Sequence, residues 1–194
     1  MNFQKFVYGL LSAAFLTGAA HAQNVIRNST FDTDTLPWTT DPTVTWSNRQ
    51  DHDDEAVGAG GSLQFSTSMI AKASQCVNVS PNTTYTLSLW YGLDPQSDFA
   101  PCSNPKVIPS LAYWSGSDCT GNGQGGLAGF QLTPTTSWAN HSATITMSPG
   151  VNSAAVKLEV SCGAQNGVAI VYFDDVTLTK EEIFGDGFDS ELLH

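Results

Sequence analysis

The chain is predicted to be all-β: a two-sheet antiparallel β-sandwich of about eight or nine strands, stapled by disulfides. Three observations predict it. Short runs rich in Val, Ile, Thr and aromatic residues recur, separated by Gly, Pro, Asn, Ser and Asp. Within those runs apolar residues alternate with polar ones at period two, the period of a half-buried strand. Four cysteines stand in the part of the chain expected to be exported, with no pair close enough for a metal knuckle.

Residues 1–22 are predicted to be a signal peptide. Lys5 precedes an apolar run from Phe6 to Ala20, and Ala20-His21-Ala22 offers the small-x-small site that signal peptidase cuts. A retained membrane anchor is the competing reading, but the run is too short to span, and no later segment is long enough either. The mature chain would start at Gln23 and run for 172 residues, one domain with room for a core. It would hold six Lys and Arg against eighteen Asp and Glu, a net charge of −12. A surface this short of cations is poorly suited to neutralise phosphates, which makes nucleic acid and anionic lipid poor candidates as partners. Acidity of this kind suits solubility outside the cell and hard cations such as calcium.

In chain order, Asn24–Phe31 reads as a first strand or extended lead-in, and Thr43–Ser47 as a short strand beyond the turn at Pro37-Trp38. Arg49–Gly61 is a loop, acidic at Asp51, Asp53, Asp54 and Glu55 and then glycine-rich; a solvated loop is the simplest reading of its charges. Ser62–Thr67 places Leu63 and Phe65 on one face. Ile70–Val79 carries Cys76, and Pro81-Asn82 turns the chain into Tyr85–Tyr91. There Tyr85, Leu87, Leu89 and Tyr91 share one face, with Ser88 and Trp90 on the other. Asp94–Pro109 reads as a long proline-bearing loop with Cys102. Ser110–Ser115 is a strand with Leu111 and Tyr113 opposite Trp114, and Gly116–Gly129, with six glycines and Cys119, is a flexible loop. Ser142–Met147 and Ala155–Ser161 alternate again, the latter with Lys157 and Glu159 opposite Val156, Leu158 and Val160. Val168–Leu178 is the longest apolar run, hence central in its sheet. Residues 180–194 form an acidic tail outside the sandwich domain of 23–179.

The order of Asn28–Asp32 (NSTFD), Trp38, Trp46, Gly60–Leu63 (GGSL), Gln75–Val77 (QCV), Tyr85–Trp90 (YTLSLW), Trp138 and Phe173–Leu178 (FDDVTL) resembles the family 4/9 type of carbohydrate-binding module, within the galactose-binding-like jelly rolls. QCV followed by Asp118-Cys119-Thr120-Gly121 is similar to a secreted bacterial subgroup of that class. Two features depart from the pattern: a cysteine in the proline-bearing loop, and Asp32 where a Glu often follows the first Phe. Ile183–Asp189 (IFGDGFD) resembles a short C-terminal motif of exported proteins in some Gram-negative bacteria, although composition alone reads it as an acidic tail.

The residues allow three disulfide connectivities. The resemblance favours Cys76–Cys119, leaving Cys102–Cys162; Cys102–Cys119 with Cys76–Cys162 is the alternative. Period two from Ile170, Tyr172, Val176 and Leu178 turns Asp174 inward, where a carboxylate needs compensation by a cation, by backbone amides or by an Arg such as Arg27. The resemblance implies a structural calcium held by Asp32 with Asp174 or Asp175. Trp90 and Trp114 stand opposite the apolar sets of strands expected to be neighbours, and such rings suit the apolar face of a pyranose. The resemblance makes that polar face a concave groove for a polysaccharide or glycan, with Lys157, Glu159 and Ser88 around the rings. The competing reading buries the rings under a loop. Trp38, Trp46 and Trp138 are assigned to structure.

Catalysis is not expected. Among the glutamates only Glu159 falls on a strand face, and His52 and His141 lie in no nucleophile motif. The reading is therefore an exported monomer, secreted, periplasmic or on the cell surface, that binds sugar without turning it over. A structural or adhesive surface sandwich is the alternative.

Overall fold

The computed structural model describes residues 22–48, 52, 61–94, 102, 104–162 and 167–181. The expected signal peptide up to residue 21, the expected tail from residue 182 and the acidic positions 51 and 53–55 lie outside the described residues. Eleven strands and no helix occupy the described chain. They are β1 (Thr39–Thr40), β2 (Val44–Ser47), β3 (Ser62–Thr67), β4 (Ile70–Asn78), β5 (Thr84–Leu93), β6 (Pro105–Val107), β7 (Ser110–Trp114), β8 (Gly123–Leu127), β9 (Ala139–Thr146), β10 (Ser153–Cys162) and β11 (Ala169–Lys180).

Two antiparallel sheets result. One runs β1-β4-β10-β7-β8, with β6 also pairing to β10, and the other runs β2-β3-β11-β5-β9. As expected, β11 is central. Alternation in each strand supplies the layer between the sheets. Ala71, Ala73, Val77, Leu111, Val156 and Leu158 come from the six-stranded sheet; Leu63, Phe65, Leu87, Leu89, Phe173 and Leu178 come from the other. Gln75 faces this layer too. Its amide donates to the Arg27 carbonyl and accepts from the Arg27 N–H, both at 2.8 Å, so both polar groups are satisfied and the lead-in chain is fixed to β4.

The lead-in, expected as a strand or extended segment, forms no strand of its own; it runs beside β11 through an isolated bridge, Asn24 to Thr179, and backbone bonds such as Val25 N–H to the Leu178 carbonyl. Three strands come from stretches predicted as turns or loops, the shortest being β1 just after the turn at Pro37-Trp38. β6 forms inside the proline-bearing loop, and β8 forms from the glycine-rich run GQGGL, which has little apolar signal. β8 pairs because it has little side chain: a Cβ at Gly126 would collide with the Leu111 carbonyl.

The inward placement of Asp174 is overturned. Ala169, Val171 and Phe173 face the core before residue 174, and Val176 and Leu178 face it after. The phase changes because Asp175 and Val176 together stand opposite Leu89: β11 pairs Asp174 with Trp90 and Thr177 with Ser88. This is a β-bulge, and Asp175 sits in it at φ 47°. Tyr172 and Asp174 therefore lie on the outer side of the sheet, buried there rather than in the core. The Tyr172 hydroxyl donates to Asp94 Oδ2 at 2.9 Å.

His141 on β9 sits beside the Phe130 ring, 4.6 Å between centroids, and its Nε2 is buried without a hydrogen-bond partner. Burial lowers its pKa, because the charged ring would lose water with no compensating acceptor. The unfolded chain then binds this proton more readily than the folded one, so folded stability is full above about pH 6.5 and falls as pH drops below it. Urea unfolding midpoints measured from pH 7.5 to 5 should decline more steeply for the wild type than for His141→Leu. Parallel declines would show that His141 contributes nothing to the slope.

Candidate functional site

The outer surface of the six-stranded sheet is assembled by register. On β4 the residues alternating with Ala71, Ala73 and Gln75 are Lys72, Ser74 and Cys76. On β10 they are Ala155, Lys157 and Glu159, and on β7 they are Ser110, Ala112 and Trp114. Pairing of the three strands places Lys157 directly between Ser74 and Ser110. One row along, Glu159 stands opposite Lys72; one row the other way, Ala155 stands between Cys76 and Ala112. The small residues of that last row let the Lys157 stem cross toward Trp114, where Nζ lies 5.9 Å from the ring centroid. Lys72 Nζ meets Glu159 Oε2 at 3.2 Å. A cavity of about 320 Å³ opens here, lined by Lys72, Ala73, Ser74, Ser110, Lys157, Leu158 and Glu159.

The loop behind Trp114 is tied down. Cys76 is bonded to Cys119, across from which the Ser153 hydroxyl accepts the Cys119 N–H at 2.9 Å and donates to the Gly116 carbonyl at 2.6 Å. Asn78 and Asp118 exchange two further hydrogen bonds, 3.2 and 2.8 Å. The second disulfide joins Cys102 to Cys162, so the pairing implied by the resemblance is the one present and the alternative is not.

Trp90 and Ser88 are elsewhere. They lie on β5 in the five-stranded sheet, between β11 and β9, whereas Trp114 lies on β7 between β10 and β8. The expectation that their strands are neighbours is therefore corrected. Alternation within a strand fixes a side chain's face but not the sheet that the strand joins. The Trp90 ring is also covered: His52 stacks on it at 3.7 Å and 20°, and Trp138 meets His52 edge-on at 6.0 Å. The His52 N–H donates to Asp174 Oδ2 at 3.1 Å, and His52 Nδ1 lies 2.9 Å from Asp175 Oδ2. Asn140 donates to the Ser88 hydroxyl at 3.3 Å. No local pattern in the acidic loop marks His52 for this position.

Asp32 is exposed, while Asp174 and Asp175 are engaged by His52 and by the Asp175 N–H. Among the described residues no three His, Cys, Asp or Glu side chains gather as a metal site. The calcium set of Asp32 with Asp174 or Asp175 stays what the resemblance implies. Trp38 and Trp46 are structural: their Nε1 atoms donate to the carbonyls of Asn28 at 3.4 Å and Phe31 at 2.6 Å. Trp138 packs on Gly92.

Lys72, Ser74 and Ser110 join the face without having been singled out in the sequence. Their signal was present in the alternation Ala71-Lys72-Ala73-Ser74, but it acquires meaning only through the partners of β4.

A family model described as "Carbohydrate binding domain" (CBM_4_9) matches residues 23–166. Among solved structures, the chain is similar to Family 16 Carbohydrate Binding Module-2, with TM-score 0.57 and 21% identity, covering 80% of this chain and 99% of that one. It is similar to TmCBM61, solved in complex with beta-1,4-galactotriose, with TM-score 0.55 and 19% identity, covering 82% of this chain and 100% of that one. It also matches the enzymatically active domain of bacteriophage CBA120 tailspike protein 4, with TM-score 0.56 and 19% identity over 81% of this chain, but it spans only 21% of that protein. At these identities the likeness is one of fold. No curated protein sequence matches the chain significantly.

Proposed function

The chain belongs to the carbohydrate-binding domain family CBM_4_9, and from that premise we propose that it is an exported, non-catalytic module that holds a glycan on the outer face of the six-stranded sheet. Trp114 is the stacking platform, and Lys157, Glu159, Ser74 and Ser110 meet the hydroxyls. The observation that carries this reading is the cavity beside Lys157, about 320 Å³ in volume, within the range of small-ligand sites, with Lys72, Ser74, Ser110, Lys157 and Glu159 in its lining. Two disulfides support an oxidising compartment, hence export. A single carboxylate, Glu159, lines the cavity, and it is paired with Lys72; a glycosidase needs two facing carboxylates. A structural calcium at Asp32 with Asp174 or Asp175 is part of this reading, and a chelator that leaves the melting temperature unchanged would remove it. Among the described residues no helix is long and apolar enough to cross a membrane.

Trp114→Ala should weaken retention on the preferred polysaccharide about tenfold, since a ring–sugar stack of about 1.4 kcal/mol is removed. Trp90→Ala should leave retention unchanged and lower the melting temperature, because that ring is packed beneath His52. Affinity gels and a glycan array with the mature protein read both. Binding lost with Trp90→Ala alone would move the site to the other sheet. No glycan bound by any variant would favour the structural or adhesive role.

A further inference from the structure

Resting on that reading, we infer that the glycan is anionic, bearing hexuronic acid carboxylates, and that Lys157 is the counter-ion. The chain is poor in cations, with seven Lys and Arg in a net charge of −11, yet two lysines stand in one cavity. They are not equivalent. Lys72 is neutralised by Glu159, and Asp41 accepts the Lys72 backbone N–H at 2.9 Å on the far side of β4. Lys157 has no ion-pair partner among the described residues; the group facing its ammonium is the Trp114 ring. A neutral ligand laid over this ammonium would displace its water at a cost and return no charge.

A carboxylate removes that cost. The row Ser74–Lys157–Ser110 puts two hydroxyl-bearing residues beside the root of Lys157, and an anion on its ammonium would accept a charge-assisted hydrogen bond. The sugar ring would lie on Trp114, with its carboxylate turned to the Lys157 ammonium beside that ring. The negative net charge opposes a polyanion only at a distance. At physiological salt, screening confines this repulsion to roughly 8 Å, inside which Lys157 is the nearest charge.

Calorimetry on the mature protein separates the outcomes, with oligogalacturonate and oligoguluronate as acidic probes and a neutral galacto-oligosaccharide of equal length as control. The acidic probes should bind at least tenfold more tightly than the neutral one. Lys157→Met keeps the aliphatic stem against Trp114 and removes the charge, so it should lose tenfold or more on the acidic probes and, through the lost hydroxyl contact, clearly less on the neutral one. An unchanged melting temperature for this exposed position checks folding. Equal binding of acidic and neutral probes, or equal losses on both in Lys157→Met, overturns the anionic ligand and leaves the sugar site standing. No binding of any probe, with Trp114→Ala equally silent on a glycan array, overturns both.

Discussion

Replacing Cys76 and Cys119 together by serine is expected to cost about 4 kcal/mol of folding stability. The bond closes a sequence separation of 43 residues, and the chain entropy released to the unfolded state by opening such a loop is of that size. The second bridge, Cys102–Cys162, spans 60 residues, and the logarithmic dependence makes its removal cost nearly the same, about 4 kcal/mol. The two differ in what they hold. Cys76 stands on the outer face of β4 and its bond fixes the loop that follows Trp114, whereas Cys102 and Cys162 lie away from Trp114. Urea unfolding should therefore show similar losses for the two double variants, while glycan binding should fall mainly for Cys76→Ser with Cys119→Ser. A loss below about 1 kcal/mol for that variant would mean that the Asn78–Asp118 and Ser153 hydrogen bonds already restrain the loop, and that the bridge is redundant.

The fold was legible because its information is local. Period-two alternation in Ser62–Thr67, Tyr85–Tyr91 and Ala155–Ser161 survives into β3, β5 and β10 with the same inward residues. What remained hidden is set by pairing between distant strands. Trp90 and Trp114 share a local pattern and stand in different sheets, because nothing within either strand encodes its partner. The binding face has the same origin: Ser74, Lys157 and Ser110 are far apart in sequence and become one row only through β4, β10 and β7. β8 was invisible for the opposite reason, since a glycine-rich edge strand pairs through its backbone and leaves no side-chain alternation to read. At Asp174 the period-two assumption itself failed, because one extra residue in β11 resets the phase.

That extra residue leads to the second large effect: deleting Val176 should abolish cooperative folding, whereas deleting Asp175 should be tolerated. Asp175 and Val176 share the position opposite Leu89, with Asp174 paired to Trp90 before them and Thr177 to Ser88 after. Removing Asp175 turns the bulge into a regular ladder in which Val176 faces Leu89 and still points into the core. The losses are the contact of the partly exposed His52 with Asp175, worth at most about 1 kcal/mol. Relief of the positive φ at Asp175 returns about 1–2 kcal/mol. The net change is near zero. Removing Val176 instead places Asp175 opposite Leu89, with its carboxylate among residues such as Phe173 and Leu178 that are fully buried. The lost Val burial costs about 1.5–3 kcal/mol, and an unpaired buried carboxylate adds several more. Together these approach the whole stability of a domain, about 5–15 kcal/mol. Soluble yield and a cooperative melting transition distinguish the two deletions. Equal collapse of both would show that the bulge is required in its own right, as the seat of His52 over Trp90, and not merely as the place where β11 resets its phase.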